Sequence, residues 1–392
     1  MEFSVYTSDI SRYLFYITHI DNVPSIISNG IFSHQFIEKN HLKHTPIYDE
    51  EIVSNRKNKE VEKGKSLWNY ANLYFQPRNP MLYRVTMEKS LESIAVIAVR
   101  KSILENPGIY ITDGNAASGP TQFYNGVNFK IIENHIRKMT ELQWWSWHDS
   151  SKRHIMAECL VPEQIPSEYI EAVYVSNPNI AEKLASSLTS SIPVIAEPSM
   201  FFQPVKKIDL TEKLSLVEGD LFFSKMQTLT VSVNCIGIMG KGLASRAKYQ
   251  FPDVYVHYQD KCKTKALKMG KPVLYRRESP YHEEIGDDPT ALKNKKDTWF
   301  LLFPTKQHWR DNSDISGIEK GLQWLVSNYE HSHITSLAIP ALGCGLGRLE
   351  WKDVGPILCK YLSKMNIPVW VYLPAERNVP KELLTKEFLL SE

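Results

Sequence analysis

Residues 228–244, TLTVSVNCIGIMGKGLA, decide the fold of the second half of this chain. A β-branched run, TLTVSVN, leads through three glycines into a segment that continues as a helix pattern, GLASRAKYQF. A second turn of the same kind, PALGCGLGRLEW at 340–351, also follows a strand pattern and precedes a helix pattern. Strand, glycine turn and helix in repeated succession predict an α/β domain with a mostly parallel central sheet.

The first half of the chain has a different pattern. Short β-branched or aromatic runs, such as SIAVIAVR and AECLV, alternate with loops and a few helices, which is typical of an α+β domain. Between the halves, residues 192–212 carry three prolines and little helical periodicity. We therefore expect one domain over 1–195, a linker over 196–212 and a second domain over 213–392. Residues 38–65, rich in Lys, Glu, Asn and His, predict a surface loop.

Composition excludes several classes of protein. The chain has 392 residues, enough for two domains, with 43% hydrophobic and 23% charged residues. Those fractions are ordinary for globular proteins and exclude a largely disordered or fibrous chain. The net charge of +2 is far from that of a histone-like binder, so any contact with nucleic acid must come from a local patch.

The cysteines and the N-terminal segment indicate the cellular compartment. Five cysteines are odd in number and scattered, without C-x-x-C spacing, which argues against a disulfide framework and against a zinc site. The N-terminal apolar stretch is interrupted by acidic and polar residues, unlike a signal peptide. No apolar run approaches about 18 residues, the minimum for a spanning helix. We expect a cytoplasmic protein without membrane contact or metal.

The two glycine turns indicate an anion site. Gly237, Gly240 and Gly242 let backbone amides approach a phosphate at a helix N-terminus with no Cβ in the way. Neither the dinucleotide-binding G-x-G-x-x-G nor the Walker A spacing is present, which argues against a nucleotide kinase. Two such turns at the carboxyl ends of strands suit a diphosphate. The alternative is two tight turns that bind no ligand.

The segments VEGDL, VNCIGIMGKGLA, FPTKQHWR and IPALGCGLGRLEW together resemble a macrodomain of the subtype found in the antitoxin DarG and in the human terminal ADP-ribose glycohydrolase. The resemblance covers roughly residues 213–380 and implies a three-layer α/β fold that binds ADP-ribose. It implies that Asp220 accepts from the adenine amino group, that Asn234 faces the distal ribose and that the glycine turns hold the diphosphate. The implied contacts are Asp220, Leu221, Asn234, Gly240, Lys241, Gly242, Gly343, Cys344, Gly345, Leu346 and Gly347.

Lys306, in FPTKQHWR, falls where the hydrolysing members carry their catalytic lysine. A lysine amine attacks an anomeric carbon only if desolvation or a neighbouring cation depresses its pKa. The alternative is an ordinary exposed lysine. At Gly347 the human glycohydrolase has an aspartate, whereas DarG-like sequences have glycine. The domain is thus closer to DarG, and the acid or base partner of Lys306 stays unassigned.

In the first half, Glu158 interrupts an apolar strand pattern. Met156, Glu158 and Leu160 share one face of the expected strand, while Ala157, Cys159 and Val161 share the other. Carboxylates are almost never fully buried without a partner, so Glu158 is expected to line a polar cleft. A buried ion pair with Arg153 or Arg56 is the alternative.

The segments ITHIDN, PRNPMLYR, DGNAAS and KR-x-x-x-AE resemble DarT, the DNA ADP-ribosyltransferase toxins, in order and spacing across roughly residues 10–190. The resemblance implies an ADP-ribosyltransferase fold that binds NAD and modifies a base, thymine in the best-known subtype, in single-stranded DNA. It implies that Glu158 is the catalytic glutamate and Arg56 the active-site arginine. It also places Thr18, His19 and Asn22 at the NAD.

This chemistry suits the residue types. A carboxylate that accepts from a ribose hydroxyl stabilises the positive charge that develops as the nicotinamide bond breaks. Cations for the phosphates of the DNA strand are expected from Arg78 and Arg84, and from Lys57, Lys59, Lys63 and Lys65. Stacking faces are expected from Trp145 and its neighbours Trp144 and Trp147. A solvated lysine run and a tryptophan core cluster are the alternatives.

A chain that joins the two resemblances combines the writer and the eraser of one modification, as in a fused toxin–antitoxin enzyme of DarTG type. The implied ligands are NAD, single-stranded DNA and ADP-ribose, and no protein partner is identified. Two alternatives stay open. The macrodomain reads ADP-ribose without hydrolysing it, or the acceptor of the transferase is RNA or protein, because fold does not fix substrate.

Overall fold

The computed structural model describes residues 12–47, 50–278, 284, 286, 298–375 and 377–391. It divides into two compact units, and the boundary falls between Phe202 and Gln203. Each unit is built around its own sheet.

The first unit contains an eight-stranded sheet in the order β12-β11-β6-β1-β5-β9-β7-β8. Neighbouring strands are antiparallel, except that β12 runs parallel to β11. Two short antiparallel pairs, β10 with β2 and β3 with β4, complete the strands. The strands are β1 Tyr13–His19, β2 Ile31–Phe32, β3 Glu60–Glu62, β4 Lys65–Ser66, β5 Tyr70–Tyr74, β6 Ile94–Arg100, β7 Tyr110–Thr112, β8 Phe123–Asn125, β9 Glu158–Pro162, β10 Gln164–Ile165, β11 Ile170–Val175 and β12 Val194–Ala196.

Alternating residues of these strands form the core of the first unit. Ala157, Cys159 and Val161 lie in the main apolar cluster, whereas Leu160, on the other face, lies in a small cluster with Leu67, Tyr70 and Ala116. This confirms the expected alternation of the strand that carries Glu158. The helices are α1 Val23–Asn29, α2 His34–Lys39, α3 Glu50–Asn58, α4 Pro80–Glu88, α5 Phe129–Thr140, α6 Ser151–His154 and α7 Pro178–Ser187.

Residues 38–65 were expected to be a loop, and this expectation is wrong for much of the segment. It contains helix α3, strand β3 and the start of β4. Its polar composition hides the few residues that anchor it: Ile47 and Val53 are buried, and the side chain of Glu62 accepts hydrogen bonds from two tyrosines. A handful of apolar anchors is enough to order a segment whose other side chains face solvent.

The second unit contains a seven-stranded sheet in the order β13-β14-β19-β18-β15-β17-β16. The five central strands are parallel, and the edge strands β13 and β16 are antiparallel to their neighbours. The expected mostly parallel sheet is thus confirmed. The elements are β13 Lys206–Asp209, β14 Leu214–Glu218, β15 Thr228–Asn234, β16 Val273–Tyr275, β17 Trp299–Lys306, β18 Leu337–Pro340, β19 Val369–Tyr372, α8 Gly242–Gln250, α9 Pro252–Lys263, α10 Ile315–Asn328, α11 Trp351–Leu362 and α12 Lys386–Leu389.

Helices cover both faces of this sheet, as the alternation along β17 shows. Phe303 lies in the apolar cluster that α10 and α11 complete. Phe300, on the opposite face, packs on Phe251 between α8 and α9, with ring centroids 5.1 Å apart. The parallel strands are buried on both faces and therefore read as continuous apolar runs. The three-layer arrangement expected for the second half is confirmed.

The segment 196–212, expected as a linker, is largely structured. Pro198–Phe201 forms a 3-10 turn in which Met200 and Phe201 are fully buried. The ring of Phe202 packs edge-on against Tyr83, 5.1 Å away. Its second part enters strand β13. The prolines shape these turns, and the apolar side chains between them are buried in the core. Proline content alone does not indicate this burial.

Candidate active sites

Glu158 is the first residue of β9 and its side chain is 0% exposed. Its Oε1 accepts hydrogen bonds from Arg56 Nη1 at 3.2 Å and from the backbone N–H of Ala116 at 2.9 Å. Its Oε2 accepts from Arg56 Nη2 at 2.7 Å. This bidentate, charge-assisted pairing compensates the burial of the carboxylate. A carboxylate has about four acceptor positions, and these three bonds leave Oε2 able to accept one more.

The backbone around Glu158 is fixed by the loop that follows β7. The N–H of Glu158 donates to Thr112 Oγ1 at 2.9 Å, and the Thr112 hydroxyl donates to the carbonyl of Gly114 at 2.6 Å. Arg153 forms two hydrogen bonds to the carboxylate of Asp113, at 2.8 and 3.2 Å. Arg153, one of the two expected ion partners of Glu158, therefore holds the loop that supplies Ala116.

Helix α3 presents Arg56 to Glu158 beside a neutral histidine. Burial, together with the nearby charge of Arg56, lowers the pKa of His34 to about 4. The His34 ring is stacked on Trp68 at a centroid distance of 4.3 Å. Within the described residues, the only formal cation shown bonded to Glu158 is the Arg56 guanidinium.

Hydrogen bonds attach the hairpin β3–β4 to strands β5 and β7 of the sheet. Glu62 accepts from the hydroxyls of Tyr110 at 2.8 Å and Tyr70 at 3.1 Å. Hydrogen bonds from Lys65, Tyr110 and Tyr70 hold the pKa of Glu62 at about 2, so the acceptor stays charged. These contacts fix the position of the segment that follows Arg56.

The three residues expected at the NAD lie together at the end of β1. Asn22 donates to the Thr18 hydroxyl at 3.2 Å and to the carbonyl of Thr45 at 2.8 Å, and it accepts from the Thr45 N–H at 2.9 Å. His19 Nδ1 accepts from the backbone N–H of Asp21 at 3.2 Å. The amide of Asn22 thus ties the loop near Thr45 to the strand, while a partly exposed His19 borders the same corner.

Two of the three residues expected to contact DNA are inside the first unit. Arg84 and Trp145 are each 1% exposed. Arg84 forms an ion pair with Glu88 at 3.2 Å, and Trp145 packs edge-on against Tyr83. Neither presents a cation or a ring face to a strand, and the expectation is corrected for both. The amphipathic helix α4 places Arg84 on its buried face, where the ion pair compensates its charge.

Arg78 is also nearly buried. Its Nη1 donates to the carbonyl of Gln143 at 3.2 Å, and its guanidinium lies 4.9 Å from the Phe202 ring. Of the expected stacking residues, Trp147 is 53% exposed. The expected lysines lie on the surface or partly so: Lys57, Lys59, Lys63 and Lys65. The exposed part of the expected DNA surface is therefore Trp147 and these lysines.

In the second unit, Asn234 and Lys306 end adjacent parallel strands and are register partners. Asn234 Oδ1 accepts from the Tyr258 hydroxyl at 2.8 Å and from the N–H of Ile236 at 3.0 Å. Its Nδ2 donates to the carbonyl of Ile238 at 2.6 Å. The side chain of Asn234 thus shapes the first glycine turn.

Lys306 lies between its own loop and the second glycine turn. Its Nζ donates to the carbonyl of Asp311 at 2.7 Å and to that of Leu346 at 3.4 Å. Partial burial, and the nearby charge of Arg348, lower the pKa of Lys306 below its ordinary value, against the opposing charge of Asp311. The depressed pKa that the sequence required of a nucleophilic lysine is present, and Arg348 is the neighbouring cation.

The two glycine turns approach each other. A Cβ on Gly242, whose φ is +60°, would lie 3.3 Å from Leu346 Cδ1. A Cβ on Gly347 would collide with Ser313 Oγ and lie 2.5 Å from the carbonyl oxygen of Gly343. Within the described residues, the buried Ser313 Oγ has no hydrogen-bond partner. The second turn therefore lies beside an unsatisfied hydroxyl group.

Asp220 is paired with an arginine that the sequence did not indicate. Both carboxylate oxygens lie 2.8 Å from Arg246 Nη1, and the guanidinium lies 4.7 Å from the Phe222 ring. Leu221 and Cys344 are buried, so their side chains present no surface to a ligand. Lys241 and Leu346 are exposed at the two turns.

The sequence did not indicate several contributions to these sites. These are the pairing of Arg153 with Asp113, which holds the loop, and the residues Arg246, Ser313 and Arg348. Each acts through a neighbour that is distant in the chain, and local spacing carries no signal for it. Within the described ranges, no helix is both long and apolar enough to cross a bilayer. The same ranges contain no cluster of three or more His, Cys, Asp or Glu side chains placed to hold a metal.

Comparisons with known proteins agree on both halves. Residues 15–202 match the family described as ssDNA thymidine ADP-ribosyltransferase, DarT, and residues 290–358 match the Macro domain family. A DNA ADP-ribosyl glycohydrolase of Thermus aquaticus is 34% identical over 42% of this chain and 42% of its own. The solved structure described as Thermosipho africanus DarTG in complex with ADP-ribose matches with a TM-score of 0.93, covering 97% of this chain and 100% of that one.

A full-length relative decides the family. The DNA ADP-ribosyl transferase–DNA ADP-ribosyl glycohydrolase fusion protein of Thermosipho africanus is 53% identical over 382 residues, 97% of this chain and 98% of the relative. Both halves are matched, in the same order. The chain belongs to the family of fused DNA ADP-ribosyltransferase and DNA ADP-ribosyl glycohydrolase enzymes, in which a DarT domain precedes a DarG macrodomain.

Proposed function

We propose that this chain uses NAD to ADP-ribosylate a thymine base in single-stranded DNA and removes the same group again. The first unit writes the modification and the second erases it. The observation that carries the proposal is the presence, in one chain, of a buried Glu158–Arg56 pair and of a Lys306 with a lowered pKa between two glycine turns.

In the first unit, Glu158 is the catalytic carboxylate. The bond from ribose C1 to nicotinamide breaks while the bond from C1 to a ring nitrogen of the base forms. The free acceptor position on Oε2 takes a ribose hydroxyl, and the carboxylate stabilises the positive charge that develops on the ribose. The base nitrogen loses its proton to the Glu158 carboxylate, and Arg56 stabilises the base anion. Because Glu158 has no exposed surface, the side chains that cover it must shift before substrate reaches the carboxylate.

The corner formed by Thr18, His19 and Asn22 would hold part of the NAD. These side chains and the loop near Thr45 are joined by hydrogen bonds, so the corner is preorganised. The exposed lysines near Arg56 and the ring of Trp147 would contact the DNA strand. The free cysteines suit a reducing compartment, and we place the enzyme in the cytoplasm.

In the second unit, the glycine turns would hold the diphosphate of ADP-ribose, and the unpartnered Ser313 hydroxyl offers a further polar contact beside them. Lys306 attacks ribose C1 as a neutral amine, and the bond from C1 to the base breaks. The base leaves with the bonding electron pair and takes up a proton. Water then releases the ribose from the lysine. Asp220 and Arg246 border the end of the site assigned to adenine.

Intact-mass analysis of thymine-containing oligonucleotides incubated with NAD tests the proposal. Three proteins are compared: the unaltered chain, Lys306→Ala and Glu158→Ala. We expect Lys306→Ala to accumulate an oligonucleotide heavier by one ADP-ribose, the unaltered chain to show little of it, and Glu158→Ala none. RNA and protein acceptors are offered in parallel under limiting NAD.

Each other outcome contradicts a part of the proposal. Equal accumulation by the unaltered chain and Lys306→Ala would make the macrodomain a reader. An adduct on RNA or protein, and none on DNA, would replace the acceptor. Adduct formation by Glu158→Ala would remove the assigned carboxylate from the mechanism.

A further inference from the structure

The loop after Lys306 carries a stack of three flat side chains. The ring of Trp309 lies 5.4 Å from that of His308 at an angle of 30°, and the Arg310 guanidinium lies 4.7 Å from the Trp309 ring. Trp309 is nevertheless 47% exposed. Large aromatic side chains are mostly buried, so an exposed tryptophan beside a reactive lysine is informative.

Hydrogen bonds fix this stack next to Lys306. The carbonyl of Asp311 accepts from Lys306 Nζ at 2.7 Å, and the Asp311 carboxylate accepts from the N–H of His308 at 3.0 Å. The N–H of Arg310 donates to His308 Nδ1 at 3.2 Å. The same short loop therefore orients the lysine and the stacked rings, and the stack is preorganised before any ligand arrives.

Two arginines have no acidic partner in the part of the chain that the structure describes: Arg310, in the loop after Lys306, and Arg348, whose charge acts on Lys306. Arg310 and Arg348 are exposed, and neither forms an ion pair with the described residues. Two other arginines of this unit are paired with carboxylates, Arg246 with Asp220 and Arg277 with Asp253, whereas Arg276 donates to the carbonyl of Ser332. Arg348 also has a φ of +64°, a conformation that few residues other than glycine adopt. Such guanidinium groups suit an anionic ligand.

We propose that Trp309 and Arg310 form a platform that stacks a base flanking the modified nucleotide, while Arg310 and Arg348 contact the phosphates of that strand. This inference rests on the proposed function and gives the eraser its own recognition of single-stranded DNA. A stacked aromatic with a guanidinium beside it accepts any base, because every base has a π face. Free ADP-ribose lacks the nucleotides that flank the modified thymine. The platform therefore contributes to binding of the DNA strand and not to binding of ADP-ribose itself.

Steady-state hydrolysis without NAD tests the platform on the full chain. One substrate is an oligonucleotide with a single ADP-ribosylated thymine, prepared with Lys306→Ala. The other is the modified nucleoside obtained by nuclease digestion of the same oligonucleotide. Trp309→Ala is expected to raise KM for the oligonucleotide by about 5- to 150-fold, the range for loss of one stacked base. Its KM for the nucleoside and its Kd for free ADP-ribose, measured by calorimetry, are expected to stay unchanged.

Tyr249→Ala is the matched control, because Tyr249 is a 58% exposed aromatic of the same unit, near the far end of α8. It should leave all three quantities unchanged. Arg310→Gln should reduce the salt dependence of KM for the oligonucleotide, with a change in slope of about 0.7 for each DNA phosphate that the protein no longer neutralises. Equal losses on the oligonucleotide and the nucleoside, weaker binding of free ADP-ribose by Trp309→Ala, or an unchanged KM for the oligonucleotide would each overturn the inference.

If the unaltered chain hydrolyses neither substrate, the proposed eraser activity is contradicted. Photo-crosslinking then still tests whether Trp309 contacts the DNA strand. A modified oligonucleotide with 5-bromouracil next to the ADP-ribosylated thymine is bound to Lys306→Ala and irradiated. A crosslink mapped to Trp309 by peptide mass spectrometry supports the platform. Crosslinks confined to other residues would contradict it.

Discussion

Glu158 combines two properties that the sequence offered as alternatives. The carboxylate is fully buried in an ion pair with Arg56, and it also keeps one acceptor position open on Oε2. Burial of a charge without such compensation would favour its neutral form. The two bonds from Arg56 and the one from the Ala116 N–H compensate the burial of the carboxylate. The buried ion pair between Glu158 and Arg56 therefore also contains the proposed catalytic carboxylate.

The geometry of this pair predicts that charge alone is not enough at position 56. Arg56→Lys keeps a cation but loses the two parallel bonds to Glu158. We expect the rate of adduct formation by the Lys306→Ala chain to fall on the order of 10- to 100-fold when Arg56→Lys is added, as for a misplaced catalytic group. Arg137→Lys, an exposed arginine on α5, is the control and should have no effect. A rate for Arg56→Lys equal to that of the control would show that the fork geometry is dispensable.

The pKa of Lys306 predicts the pH dependence of hydrolysis. Only the neutral amine attacks, so the rate should rise with pH as Lys306 loses its proton and level off above its pKa. Because burial and Arg348 lower that pKa below its ordinary value, the rise should be complete at a lower pH than for an ordinary lysine. Arg348→Asn removes the cation and tolerates the positive φ, so the rise should move to higher pH. A pH profile that is unmoved, or moved to lower pH, would contradict this assignment.

The second glycine turn is determined by packing between two elements. Gly343 has a φ of +78°, and Gly347 lies against Ser313 at the start of the segment leading into α10. Backbone lies within 2.5 Å of the position a Cβ would take at Gly347. Backbone cannot rotate away as a long side chain does, and an aspartate at this position would meet the same obstacle. The glycine that the sequence shares with DarG is therefore required here by the shape of the turn.

Gly347→Ala should consequently deform the turn. We expect a loss of stability of about 1–3 kcal/mol from overpacking and weaker binding of ADP-ribose, measured by chemical unfolding and by calorimetry. Gly240→Ala serves as the control for stability, because its Cβ would meet only Ile238, at 3.9 Å. If Gly347→Ala were as stable as Gly240→Ala and bound ADP-ribose like the unaltered chain, the turn would be more adaptable than its packing indicates.

At the scale of the whole molecule, each unit has its own sheet and apolar core. Glu158 and Arg56 lie in one unit and Lys306 in the other. Both sets of contacts are internal to their units, so a substitution in one site should leave the other site intact. Each half of the proposed cycle should therefore work when the other half is disabled.

Mixing the two single-site variants tests this independence. Lys306→Ala with NAD should accumulate the adduct, and addition of Glu158→Ala should remove it, since the second protein keeps the eraser. The adduct is followed by intact mass over time, with the Glu158→Ala/Lys306→Ala double variant added as the control that should not remove it. Persistence of the adduct in the mixture would mean that removal requires both functional sites in one chain.

The sequence by itself determined the α/β order of the second unit and the alternation around Glu158. These features depend on local periodicity and on glycine conformation, and both are present in short segments. Arg56 and Lys306 became candidate site residues through the resemblance to DarT and DarG. The resemblance to DarT and DarG, carried by short motifs, is confirmed by a full-length relative.

The tertiary structure alone decided which side chains are buried and which meet. Arg84 and Trp145 read as surface residues but lie in the core, because burial depends on which distant segments cover a helix. A polar stretch folded into helix α3 because a few apolar side chains found partners elsewhere. Likewise, Arg348 beside Lys306 and Ser313 beneath Gly347 are contacts between residues far apart in the chain. Local patterns fix elements, whereas long-range packing fixes the environment of each functional group.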